Sequence, residues 1–265
     1  DDVKNDPARG LIARYAWGVD YYHLMTPRLN ELTRFVRAES GREIKSKVYV
    51  DTGAVLERDW AQLSGLGFIG KNTCLINPRL GSWLFLGVLI TDLDLEVDQP
   101  ITHVSCGNCT RCLTACPTAA FTSPYVLDAR KCISYLTIEL RGSIPLELRS
   151  LLGNRIFGCD ICQDVCPWPA RFAQPTRERS FFPIDLDRAA PKLIDLARLT
   201  EDQFKQKFAG TPILRAKRRG LLRNVAVALG NWGSTQASEA LQGLALDQDP
   251  VIAEHAQWGL LTARH

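Results

Sequence analysis

The sequence predicts a mixed α/β domain over residues 1–100, a small cysteine-rich domain over 101–170 and an all-α domain over 171–265. Three observations carry this. Helix and strand signals alternate through roughly the first ninety residues. Eight of the nine cysteines fall between Cys106 and Cys166. Beyond Pro167 the cysteines stop, prolines at 169, 175 and 183 mark a boundary, and an apolar helical pattern recurs. With 265 residues the chain can bury a sizeable core, and 46% hydrophobic with 23% charged residues is the balance of an ordinary globular protein. The apolar run from Trp83 to Ile90 is too short to span a bilayer, and the N-terminus has no basic-then-apolar leader. A cytoplasmic monomer without membrane contact is therefore expected. The chain opens on Asp1 rather than Met, so a further N-terminal portion is expected to precede it.

Tyr22, Leu29, Leu32 and Val36 share one face of a helix spanning residues 20 to 40, and Gly41 supplies its stop. Lys47 to Val50 alternates as a strand, Asp51 closes it, and Thr52-Gly53 turns into a helix at 55 to 63. A second strand is expected over 84 to 90. Such alternation implies a sheet whose ligands lie beyond the carboxyl ends of the strands, where Asp51 stands. Between the strands, Gly65, Gly67 and Gly70 precede Lys71. This is not a phosphate loop, because Asn72 occupies the hydroxyl position. It reads either as a close-packed turn or as backbone made thin to meet a flat ligand.

Cys106, Cys109, Cys112 and Cys116-Pro117 form C-x2-C-x2-C-x3-C-P, the run in which three thiolates hold one [4Fe-4S] cubane and the fourth reaches another. Cys159, Cys162 and Cys166-Pro167 repeat its last three positions, and Cys132 is the remaining thiol able to supply the missing ligand. The wiring follows from pseudo-twofold symmetry. Cluster one takes Cys106, Cys109, Cys112 and Cys166; cluster two takes Cys116, Cys132, Cys159 and Cys162. A bicluster ferredoxin-like domain is the result. A disulfide framework suits shorter secreted chains and an even count, and zinc does not account for a third and fourth close thiol. The long insertion between Cys132 and Cys159, with a helix from Leu146 to Leu152, suggests that cluster two abuts another domain or cofactor. Cys74 reads as a buried free thiol.

In the tail, Leu221 to Gly230 is echoed by Ile252 to Leu260 at a period of about 30, with small residues where helices would touch, as in a HEAT-like repeat. Just ahead, Arg215, Lys217, Arg218, Arg219 and Arg223 cluster without an intervening acid, although the net charge is only +3. Such a stripe is either a solvated helix face or a phosphate-binding footprint.

Taken together, these residues resemble the epoxyqueuosine reductases, corrinoid and iron–sulfur enzymes that complete queuosine in tRNA anticodons. The likeness runs through Tyr49-Val50-Asp51-Thr52-Gly53, Gly67-Phe68-Ile69-Gly70-Lys71, Leu75-Ile76-Asn77-Pro78-Arg79, Gly81-Ser82-Trp83 and Tyr125 to Thr137. It continues through Gly153-Asn154-Arg155, the Cys159 motif and the basic repeat tail. Asn72 and Cys74 fall where the family pattern varies. The resemblance implies that residues 1–100 belong to a cobalamin-binding domain and that cobalamin, reloaded through two [4Fe-4S] clusters, removes the epoxide oxygen. It implies Asp51 as the general acid, a role that asks for burial or a neighbour to raise its pKa. Without the resemblance Asp51 reads as a strand-end residue capping the next helix. Asp51, Leu75, Asn77, Ser134, Tyr135 and Asp160 become candidates for cobalamin contacts, and the Arg215 to Arg223 stretch for anticodon-loop phosphates. An external low-potential electron donor is required. Two alternatives stand: a corrinoid reductive dehalogenase, which has no evident use for a cationic helical tail, and a bicluster ferredoxin that only relays electrons.

Overall fold

The computed structural model describes residues 2–262. A helix over Tyr21–Ser40 starts at Asp20, whose side chain accepts from the Tyr22 N–H, and stops at Gly41, which takes φ 64°. Its packed stripe shares Leu29 and Val36 with the expected face but runs through Tyr21 and Met25 rather than Tyr22 and Leu32. Tyr21 is buried, and Met25 and Leu29 close against Gly87, whereas Tyr22 and Leu32 face outward. Positions 21, 25 and 29 form a row four apart, and that row meets the sheet.

The first long strand, Ser46–Tyr49, pairs with Val88–Thr91 in antiparallel register, Val48 opposite Leu89. The sheet expected from alternating elements is therefore not a parallel one. After the Glu57–Leu63 helix the chain makes a hairpin of Phe68–Ile69 with Leu75–Ile76 instead of crossing over, and returns in the opposite direction. Among the described residues the strands form four two-stranded pairs. One of them is long-range and parallel: Leu11–Ile12 lies beside Arg155–Phe157, pinning the N-terminal segment to the stretch before Cys159.

The largest core joins that pair to the tail. Ile12, Ile156 and Phe157 pack with Leu193, Leu221 and Val225. The Lys217–Trp232 helix is buried continuously from Gly220 to Gly230, as a helix enclosed by neighbours must be. Thr235–Leu244 and Pro250–Thr262 pack on it. A Cβ on Gly230 would lie 2.7 Å from the Gly259 Cα, so the echoed segments touch through small residues, as their sequence suggested. The insertion folds into a short helix, Leu146–Arg149, and a 3-10 turn, Ser150–Leu152. Its Ile144, Leu148 and Leu152 pack with Leu136 and Val227. Among the described residues no helix is long and apolar enough to cross a membrane.

Candidate active site

Cys106, Cys109, Cys112 and Cys166 line one cavity, flanked by Asn72, Ile76 and Trp168. Cys112 sits in the Arg111–Ala115 helix, and Cys166 leads into Pro167–Phe172. Cys166 is raised by burial first and then by Cys106, Cys112 and Cys109. Cys116, the fourth cysteine of the first run, acts instead on Cys132. Burial lifts the Cys132 thiol, the N–H groups of Tyr135 and Ser134 lower it, and Cys116 and Cys74 raise it again. Burial pushes Cys159 up to about 11, with Cys132 contributing. The Cys162 thiol is raised first by its hydrogen bond with Cys74, then by burial, Cys74, Cys159 and Cys132. Cys106, Cys109, Cys112 and Cys166 thus share one cavity, while Cys116 and Cys74 exert their influence on Cys132 and, for Cys74, on Cys162. Among the described residues no three metal-ligating side chains converge as tightly as a single ion requires. A cubane spaces its thiolates more widely, because its irons and sulfides lie between them.

Asp51 follows its strand within a series of bends and takes φ 61°, uncommon without glycine. The Tyr21 hydroxyl donates to Asp51 Oδ2 at 2.5 Å, and Arg215 donates to the same oxygen at 2.9 Å and to the Tyr21 oxygen at 3.0 Å. Arg215 also lies 3.6 Å from Asp20, with its guanidinium over the Tyr21 ring. Phe85 stacks on that ring at 4.6 Å. Burial, then the bond to Asp51, holds the Tyr21 phenol well above its ordinary range, so it remains a donor. Burial opposes the Arg215 charge, but the bonds to Tyr21 and the Asp20 and Asp51 carboxylates outweigh it and keep the guanidinium charged.

Of the burial or neighbouring group expected at Asp51, burial is absent: its side chain is 56% exposed. Neighbours, not enclosure, define its setting. Tyr15, held protonated chiefly by burial, lies within the influence of Arg215, Tyr21, Asp51 and Asp160. Its ring packs edge-on to Tyr21 at 6.2 Å, and its Cε1 would lie 3.4 Å from a Cβ on Gly158, next to Cys159, so it bridges the Asp51 cluster and the start of the Cys159–Cys162 loop. Burial pushes Asp160 up to about 6, although the Arg14 N–H donates to its Oδ2 at 2.8 Å. The Arg14 guanidinium rests 4.7 Å over the Trp83 ring.

Comparison with known proteins decides the family. Residues 1–52 match the model described as epoxyqueuosine reductase QueG, DUF1730, and residues 105–169 match the 4Fe-4S double cluster binding domain. The epoxyqueuosine reductase of Pseudomonas aeruginosa is 47% identical over 256 residues, covering 96% of this chain and 70% of that protein. That of Escherichia coli is 44% identical over 262 residues, covering 97% and 67%. The chain belongs to the epoxyqueuosine reductase family. It carries two [4Fe-4S] clusters. A crystal structure of an epoxyqueuosine reductase with an epoxyqueuosine-modified tRNA-Tyr stem loop superimposes with TM-score 0.89 at 35% identity, over 96% of this chain and 67% of that one. The Bacillus subtilis epoxyqueuosine reductase, solved with its catalytic aspartate loop swung out of the active site, gives TM-score 0.87 at 35% identity, over 96% and 67%.

Within this family member the remaining candidates divide. Ser134 and Tyr135 lie in the first turn of the Ile133–Ile138 helix, directly after Cys132. Leu75 is buried in the hairpin. The Asn77 side chain is engaged in its own turn, donating to the Leu66 carbonyl at 2.7 Å and accepting from the N–H groups of Arg79 and Leu80. Arg223 corrects the expectation of a phosphate contact. It is 1% exposed and donates to the carbonyls of Leu136, Leu140 and Gly142 at 2.6 to 2.7 Å. Arg218 is drawn to Asp247 at 2.7 Å and the Leu199 carbonyl, and Arg219 to Asp249 at 3.1 Å. Lys217 is exposed. The stripe lacked acids only in sequence; folding brings them from the loop before Pro250–Thr262. Tyr21, Tyr15 and Arg14 escaped the sequence reading, since each meets its partners through long-range packing.

Proposed function

We propose that this chain removes the epoxide oxygen of epoxyqueuosine in a tRNA anticodon loop to give queuosine, with Asp51 as proton donor and cobalamin as the reacting cofactor. The enzyme is an oxidoreductase. The observation that carries the reading is the pairing of Asp51 with Tyr21 and Arg215, with Tyr15 packed between Tyr21 and Gly158 at the start of the second cysteine loop. An acid at the reacting oxygen and an electron supply behind it are what a reductive deoxygenation needs. Converting the epoxide to an alkene consumes two electrons and two protons and releases the oxygen as water.

The residues present fit the cofactors. Cys106, Cys109, Cys112 and Cys166 would hold one cluster, and Cys116, Cys132, Cys159 and Cys162 the other. Cobalamin would lie beside Tyr15, between Asp51 and Asp160, with the Ser134 and Tyr135 segment on its cluster side; Leu75 and Asn77 would act by shaping the hairpin. When bound, cobalamin would supply a cobalt centre with the one-electron chemistry that the reduction requires. Tyr21 and Arg215 both donate to Asp51 Oδ2, which fixes the carboxyl group and leaves Oδ1 free to meet the epoxide oxygen. The helical tail would form a HEAT-like tRNA-binding domain over 171–265, with the α/β domain over 1–100 and the cluster domain over 101–170. Lys217 and Arg219, exposed on the tail, are the residues of the basic stretch best placed for phosphates. An anticodon loop already presents its base unpaired, so no duplex need be opened.

The test is anaerobic incubation of the cluster-loaded full protein, with cobalamin and a low-potential reductant, on an epoxyqueuosine-bearing stem loop. Nucleoside mass spectrometry is expected to show loss of one oxygen. No product despite full iron and corrinoid loading contradicts the reading.

A further inference from the structure

The glycine-rich loop that resembled a phosphate loop lies between the two cysteine sets. It closes the hairpin of Phe68–Ile69 and Leu75–Ile76 and is bonded to itself, Gly70 N–H to the Cys74 carbonyl at 2.9 Å and Thr73 N–H to the Gly70 carbonyl at 2.8 Å. A Cβ on Gly70 would meet Ile76 Cδ1 at 2.5 Å and Asn72 Oδ1 at 2.7 Å, so the loop is a close-packed turn. Two consecutive residues of this turn face different clusters. The Lys71 N–H donates to Cys106 Sγ at 3.4 Å, and its ammonium donates to the carbonyls of Gly107 at 2.7 Å and Cys109 at 3.1 Å. The Asn72 side chain is 3% exposed; it lines the Cys106 cavity and donates to the Cys162 carbonyl at 3.3 Å.

We infer that Lys71 and Asn72 form a strap between the two clusters, and that Lys71 is a positioning residue that raises the potential of the cluster held by Cys106, Cys109, Cys112 and Cys166. The inference rests on the ligand grouping proposed above. Reduction adds negative charge to a cluster, so a nearby cation and an N–H donated to a ligand sulfur favour the reduced form. Lys71 supplies both, and its ammonium meets carbonyls rather than a neutralising carboxylate. The other set is differently furnished. Cys116 accepts from the Ala120 N–H at 3.4 Å and lies 3.5 Å from the Thr118 hydroxyl, both uncharged, and at Cys159 the Arg155 charge is opposed by the Asp160 carboxylate, whereas among the described residues no carboxylate meets the Lys71 ammonium. The strap thus separates the two potentials. Gly107 and Arg111 are exposed beside the first set, so electrons entering at that edge meet the more easily reduced cluster first.

The test is an EPR-monitored redox titration of the full protein carrying both clusters, comparing wild type with Lys71→Gln and Lys71→Arg. Gln retains an N–H donor for the carbonyls and removes the charge; the signal altered by Cys109→Ser identifies the cluster concerned. The expected result is a lowered midpoint potential for that signal alone in Lys71→Gln, largely restored in Lys71→Arg. Equal movement of both signals, or of neither, in protein with full iron content overturns the strap. Wild-type protein unable to assemble two clusters counts instead against the ligand grouping. Lys71→Met, which keeps the stem, gives the same readout where the Gln variant loses iron.

Discussion

Arg223→Met is expected to destabilise the protein by about 2–6 kcal/mol and to leave tRNA affinity unchanged. Methionine replaces much of the stem and removes the guanidinium. Three carbonyls, of Leu136, Leu140 and Gly142, then lose donors at 2.6 to 2.7 Å. At about 1.5–3 kcal/mol for each bond to a charged donor, the loss is roughly 5–9 kcal/mol. Against it stands the cost of burying the charge, seen in the lowering of Arg223 from 12.5 to about 10 by burial and then by Arg141, Arg219 and Arg149. Relief of that shift returns about 3 kcal/mol, so the lost bonds win. Thermal unfolding of cluster-loaded protein should show Tm lowered by about 4–15 °C, and the salt dependence of tRNA binding should keep its slope. An unchanged Tm together with weaker tRNA binding and a shallower salt slope would refute the buried-donor account.

Arg215→Met should lower single-turnover product formation by about 10–100-fold with little change in tRNA Kd, because it removes a donor from Asp51 Oδ2 and from the Tyr21 oxygen. A change confined to Kd would make Arg215 a phosphate contact instead. Lys217→Ala should weaken tRNA binding and reduce the magnitude of the log–log salt slope by roughly 1, measured by filter binding across ionic strengths; an unaltered slope removes it from the interface. His255 is fully buried, and burial first lowers it to about 4; its Nε2 accepts the Ile144 N–H, which a protonated ring could not do. Since the folded value lies below the unfolded 6.5, its contribution is fully present above 6.5 and is lost as pH falls toward about 4. Urea midpoints should fall across that window by up to about 3 kcal/mol in stability, and His255→Gln should flatten the slope; a parallel slope in the variant contradicts this.

Local signals were legible and long-range partners were not. The Gly41 stop of Tyr21–Ser40 lies in the sequence next to the helix it closes. Cysteine spacing named two sets of thiols because cubane ligation depends on short loops and one exchanged ligand. The antiparallel pairing of Ser46–Tyr49 with Val88–Thr91 was hidden, since alternation of helix and strand signals does not state which way the chain returns. Arg223 looked like its basic neighbours because its acceptors are backbone carbonyls, which every sequence contains. Arg215 meets Asp51 across 164 positions, and no periodicity links them. Lys71 and Asn72 were visible as a turn, but their contacts with Cys106 and Cys162 arise only once those loops fold against it.

The assignment of Asp51 is tested most directly by Asp51→Asn under anaerobic single-turnover conditions, with both clusters and cobalamin loaded and the stem loop saturating. Asn keeps an oxygen to accept from Tyr21 and Arg215 but cannot release a carboxyl proton. The account predicts unchanged stem-loop affinity and a rate of queuosine formation lower by about 100-fold or more. Wild-type rates in Asp51→Asn would contradict it.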